Sequence, residues 1–171
     1  MKLRSLCILA TLAASGTACS RGGGPLDACT LIGPQRAGAI LGTTVTVKHK
    51  GPTPRKPDDA SLCFYSTGKL GGGFMLIAAR IGFRDAQAEA RSEMAEARKE
   101  GVPPGMPPSK VRAVDGPGQA AWLATIGRSM QLHVLDHGTS LVVSIDQPES
   151  PAADGRARKL AEAALAGLEH P

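Results

Sequence analysis

A short apolar run at the start of the chain decides where the rest of it folds, and so what its cysteines do. Lys2 and Arg4 precede Leu6-Cys7-Ile8-Leu9-Ala10-Thr11-Leu12-Ala13-Ala14, and the small residues Ser15-Gly16-Thr17-Ala18 follow. A bilayer-spanning helix needs about 20 apolar residues, so a basic start, a shorter apolar core and a small-residue end read as a secretory signal. Residues 1–18 are expected to be removed, leaving the remainder to fold in an oxidising compartment where thiols pair.

Two processing routes fit this boundary. Cys19 directly follows the small residues, which resembles a bacterial lipobox, in which the thiol is acylated before cleavage in front of it. Gly16 stands where such boxes carry an aliphatic residue, and ordinary cleavage after Ala18 would instead release a secreted protein. Ser20-Arg21-Gly22-Gly23-Gly24-Pro25 is polar and Gly-rich, and reaches roughly 15 Å as a flexible chain. That suits a tether between a lipid and a folded body, and two or more acyl chains hold such a body firmly. The expected organisation is a signal at 1–18, a tether at 19–26 and one domain over 27–171. The location is the cell envelope, membrane-anchored through Cys19; in a Gram-negative cell Ser20 favours the outer membrane.

With Cys7 discarded and Cys19 lipidated, Cys29 and Cys63 remain, and only one pairing is possible. Closing a loop of 34 positions contributes about 4 kcal/mol in the chain-entropy treatment. A metal site would need further ligands and the chain has no Cys-x-x-Cys; a redox-active thiol would need a close partner. A structural disulfide is the expectation, with no metal and no cofactor.

Charge and aromatic content narrow the partners. The formal net charge of +5 counts Lys2 and Arg4, and falls to +3 once the signal is gone. Five aromatic residues (Phe64, Tyr65, Phe74, Phe83 and Trp122) are too few for a stacking platform. Nucleic acid is therefore excluded as a partner.

The periodicity alternates between helix and strand. A helix lies within residues 27–41, with Gly33-Pro34 as a start signal and Gly42 as a stop. Residues 43–48 alternate as a half-buried strand, and the proline-bearing stretch 49–60 is a loop. Residues 62–65 and 74–81 read as a hairpin turning through Gly71-Gly72-Gly73. Residues 85–99 form a helix whose inner face is thin: Ala86, Ala90, Met94 and Ala97. Four prolines make 101–109 a polyproline-like connector. Strands follow at about 119–126, 130–135 and 140–145, with tight turns at Gly127-Arg128 and Asp136-His137-Gly138. The last helix begins after Ser150 and carries the stripe Ala153, Ala157, Leu160, Ala161, Ala164 and Leu168. The class is α+β: a single antiparallel sheet of about six or seven strands, helices packed on one face, one disulfide.

Asp27-Ala28-Cys29-Thr30-Leu31-Ile32, then Ile40-Leu41-Gly42, Cys63-Phe64-Tyr65 and Gly116-Pro117-Gly118-Gln119-Ala120-Ala121-Trp122 together resemble a known family. It is the family of actinobacterial-type envelope lipoproteins of unknown function, which open with Asp-x-Cys-x-Leu-Leu, close a helix with Leu-Gly and carry a later Cys-x-Tyr strand. Gly33-Pro34 departs from the Thr or Ser that usually caps that helix. The resemblance implies envelope location, this fold and pairing of Cys29 with Cys63. It carries no catalytic residue.

The remaining candidates are weak. Lys48, His49, Lys50, Arg55 and Lys56 form a basic stretch that would meet anionic headgroups or a protein partner, although Asp58 and Asp59 blunt it. His133 and His137 flank Leu135-Asp136, but alternation along a strand keeps them from converging on a metal, and a solvated turn accounts for them. Ser66-Thr67-Gly68-Lys69 lacks the upstream Gly of a phosphate loop, and neither Gly-x-Ser-x-Gly nor His-Glu-x-x-His occurs. The expected function is a lipid-anchored, non-enzymatic binding or interaction module, its partner an envelope protein. The alternatives are a carrier of a small apolar ligand held between sheet and helices, and a hydrolase with an unrecognised site.

Overall fold

The computed structural model describes residues 24–56, 58–68, 72–99 and 110–169. The expected signal, Cys19, most of the tether, the connector at 101–109 and the side chain of His49 lie outside the described residues. Two short helices, α1 (Ala28–Leu31) and α2 (Pro34–Leu41), precede strands β1 (Thr46–Lys50), β2 (Ser61–Ser66) and β3 (Gly73–Arg80). Helix α3 (Ala86–Lys99) leads to β4 (Lys110–Val114), β5 (Ala120–Ile126), β6 (Ser129–Asp136) and β7 (Thr139–Ile145), and α4 (Pro151–Glu169) closes the chain.

The seven strands form one antiparallel sheet in the order β1-β2-β3-β7-β6-β5-β4. Two meanders, β1–β3 and β4–β7, therefore meet where β3 pairs with β7, with Leu76 opposite Val143. One face carries the main core. Cys63, Tyr65, Phe74, Leu76, Leu123, Leu132, Val143 and Ile145 pack there against α1, α2 and the apolar stripe of α4.

The expectation of helices on one face holds for α1, α2 and α4, and α3 is the exception. Ala120, Trp122 and Ala124 alternate with Ala121 and Leu123 along β5; the first set packs against Ala86, Ala90 and Met94 of α3 on the opposite face. Strand β5 is thus covered on both sides, which is why its first five residues, Ala120 to Ala124, are an unbroken apolar run.

Other boundaries shift for local reasons. The first expected helix is two: Ile32 and Gly33 are extended, and Pro34 restarts the helix as α2. Gly42 ends α2 at φ 69°, a left-handed conformation that Gly adopts without Cβ strain. Strand β1 begins three residues later than expected and runs into the basic stretch, with a bulge between Val47 and His49. Strand β4 was hidden by its composition, since exposed Lys110 and Arg112 on a sheet edge leave little apolar alternation.

Cys29 in α1 is bonded to Cys63 in β2, both buried in the main core. Around this link the start of the domain is densely tied. Asp27 caps α1 by accepting from the Cys29 N–H at 2.9 Å, and Ser61 Oγ accepts from the Ala28 N–H at 2.9 Å. The Tyr65 hydroxyl donates to the Ile32 carbonyl at 2.8 Å and lies 3.3 Å from that of Ala28.

Candidate binding cleft

Helix α3 is placed by its first residues and by its small inner face. Asp85 Oδ1 accepts from the N–H groups of Gln87 at 2.9 Å and Ala88 at 3.0 Å, which caps the helix. Acidic Glu89 in the first turn and basic Arg98 and Lys99 in the last complement the helix dipole. Alanines on the inner face bring the helix close to β5 but leave room at its flank. There a cleft of about 510 Å³ opens between α3 and the sheet, within the size range of small-molecule sites, roughly 300–1,000 Å³.

The walls of this cleft differ in kind. Ala97 of α3, Val111 of β4, Ala124 and Ile126 of β5 and Val142 of β7 supply apolar surface. Glu89, Glu93 and Glu96, spaced i, i+4 and i+7, line up along the helix side. At the base the imidazole of His133 lies on the indole of Trp122, ring centroids 3.6 Å apart and planes 13° from parallel. Trp122 Nε1 donates to Glu93 Oε2 at 3.2 Å, and His133 Nε2 lies 3.3 Å from Gln131 Oε1. An amide oxygen only accepts, so this contact calls for the proton on Nε2.

Burial sets the protonation of both groups. Desolvation pushes His133 down to about 4, so it is neutral at physiological pH. Desolvation raises the Glu93 carboxyl, against the lowering effect of the Trp122 hydrogen bond, and neighbouring Glu89 raises it further. His133 is thus a half-buried stacking partner on a strand, in contrast to the solvated turn expected for it. His137 does occupy the turn after β6, at φ 43°, with Nδ1 2.8 Å from Asp136 Oδ2. The two histidines do not meet, and no group of three His, Cys, Asp or Glu able to hold a metal occurs among the described residues.

The basic stretch is dispersed. Lys50 pairs with Asp27 at 3.5 Å, which fastens the end of β1 to the cap of α1. The N–H groups of Arg55 and Lys56 donate to Asp59 Oδ2 at 2.8 and 2.9 Å, and these bonds hold that carboxyl below the usual range. Lys48 lies at the bulge of an edge strand, where charge and irregularity discourage pairing with a second sheet. A smaller groove of about 320 Å³ adjoins this loop, lined by Leu26, Asp27, Lys50, Pro52 and Pro54. A polar cleft of about 640 Å³ surrounds the loop before β5, but its arginines are already engaged. Arg112 pairs with Glu149, and Arg158 with Asp154 and the Asp115 carbonyl.

The Trp122–His133 pair is the part of the cleft that the reading of isolated motifs missed. Its signal was the tight turn at Gly127-Arg128, which pairs Ile126 with Ser129 and hence Trp122 with His133. No protein-family model matches the chain, and neither the curated proteins nor the solved structures contain a significant match to it.

Proposed function

We propose that this chain is an exported, lipid-anchored and non-enzymatic binding module of the cell envelope, with the α3 cleft as its binding site. The cleft carries the reading: it joins apolar walls to a few placed polar groups, the composition of a small-molecule site. The buried Cys29–Cys63 bond supports export, since such bonds persist in oxidising compartments. The lipoprotein resemblance and Cys19 supply the anchor in this reading, while no helix among the described residues is long and apolar enough to cross a membrane.

The apolar-carrier reading draws on the same cleft, whose walls include Ala97, Ala124 and Val142. A hydrolase would also gather His133 with acidic groups, as this cleft does. The contacts of His133, to Gln131 and Trp122 and not to a serine or carboxylate, favour binding over catalysis.

Metabolic labelling with a clickable fatty acid tests the anchor: label is expected on the wild-type chain and absent from Cys19→Ala. Native mass spectrometry of the envelope-purified protein tests the cleft: a bound small molecule is expected, and is lost on substituting Ala97→Phe. Equal label in both forms overturns the anchor; an adduct that survives Ala97→Phe overturns the site.

A further inference from the structure

We propose that the α3 cleft takes an amphipathic organic cation: a compact apolar body carrying one ammonium or guanidinium group, the charge facing Glu93. The inference rests on the cleft being a binding site and adds the sign and shape of what it holds. The apolar walls and the indole–imidazole base accept the body of such a ligand. The polar side is of one sign. Glu89, Glu93 and Glu96 line the cleft, and neither Lys nor Arg is among its described lining residues. Of the nearby cations, Arg98 is directed to the Val111 carbonyl at 3.2 Å, while Lys99 pairs with Glu96 at 2.7 Å and offsets that carboxylate, which leaves Glu89 and Glu93 as the charged pair.

Glu93 is the group that distinguishes a cation from a neutral ligand. It is partly buried, its charge is met by one neutral N–H donor at Oε2, and Glu89 lies one turn away. A carboxylate in that setting is poorly compensated, and an entering ammonium relieves both the desolvation and the repulsion. An anionic ligand of the same shape meets Glu93 and Glu89. His133 is neutral and supplies no opposing charge.

The test uses the full chain with Cys19→Ala, exported and oxidised, so that no detergent competes for the cleft. The probes are 1-adamantylmethylamine, 1-adamantylmethanol and 1-adamantanecarboxylate. Calorimetry gives affinity, and the fluorescence of Trp122, the one tryptophan in the chain, reports occupancy at the base of the cleft. The amine is expected to bind about tenfold more tightly than the alcohol, as one charge-assisted hydrogen bond implies, and the carboxylate more weakly than either. Glu93→Gln keeps an acceptor for Trp122 and is expected to abolish the preference for the amine. Ala97→Phe fills the cleft and is expected to abolish binding of all three, and melting curves verify that both variants fold. Equal binding of amine and alcohol that shifts Trp122 fluorescence and disappears in Ala97→Phe overturns the cation inference while leaving the site intact. Preference for the amine retained in Glu93→Gln also overturns it. Absence of binding by all three probes, or binding insensitive to Ala97→Phe, overturns site and inference together.

Discussion

His133 on β6 and Trp122 on β5 are cross-strand partners whose rings lie in stacked contact on the face that α3 covers. The pairing makes a titratable ring part of the apolar base of the cleft. Its energetic consequence is a pH-dependent stability.

The sign follows from the direction of the shift. His133 ionises near 4 in the folded chain and near 6.5 unfolded. Between these values the unfolded chain holds a proton that the folded chain refuses. The contribution is fully present above pH 6.5 and is lost as pH falls toward 4. Urea unfolding followed at Trp122 is expected to show about 2 kcal/mol less stability at pH 5 than at pH 7.5 from this residue. Glu93 acts in the opposite direction, so the comparison is with His133→Phe, which keeps a stacking ring. A pH dependence unchanged in that variant removes His133 as its source.

Tyr65 offers a second spectroscopic handle, because it is the only tyrosine. Burial pushes its hydroxyl up to about 12, and Asp27 adds to the shift. Absorbance at alkaline pH should show no phenolate near the ordinary value of 10, and a midpoint close to 12 while the fold persists. Tyr65→Phe removes the donor to the Ile32 carbonyl and is expected to cost about 1–3 kcal/mol, measured by thermal or urea unfolding. A loss below about 0.5 kcal/mol would show that α1 is held without it.

The elements legible in the sequence were those with one buried face or an explicit stop signal. Alternation along β3, β6 and β7 and the small-residue stripe of α4 translate directly into the main core. Two elements escaped for a shared reason: β4 is an edge strand and the end of β1 is another, and edges carry lysine and arginine where central strands carry valine. The cleft was harder to see. The weak inner face of α3 was readable as Ala86, Ala90, Met94 and Ala97, but not the sheet face it covers, since α3 enters a layer of its own. That Trp122 faces His133 depends on carrying the register outward from Gly127-Arg128, a non-local step that motif spacing does not take.

The disulfide prediction is simpler. Cys29 and Cys63 are 34 positions apart, so replacing both with Ala releases a loop worth about 4 kcal/mol of unfolded-state entropy. The effect should appear chiefly as a drop in the denaturant midpoint, and reduction with dithiothreitol under mild denaturant should reproduce it in the wild type. If wild-type protein prepared under oxidising conditions shows reactive Cys29 and Cys63 thiols on unfolding, the bond is not formed in the folded chain.

Two glycines in α4 separate helix propensity from close packing. Gly155 lies in the first turns of the helix with nothing within 4 Å of where a Cβ would stand. Gly155→Ala should stabilise by about 0.5–1 kcal/mol, the cost that a helical Gly carries relative to Ala. Gly167 lies where α4 crosses α1, and a Cβ there would collide with the Leu31 carbonyl oxygen. Backbone cannot move aside as a flexible side chain can, and α1 is fastened by Cys29, Ser61 and Tyr65. Gly167→Ala should therefore destabilise by about 1–3 kcal/mol despite the same gain in propensity. Thermal unfolding of the two variants side by side checks the pair, and shifts of equal sign would mean that α4 and α1 do not approach as closely as Gly167 implies.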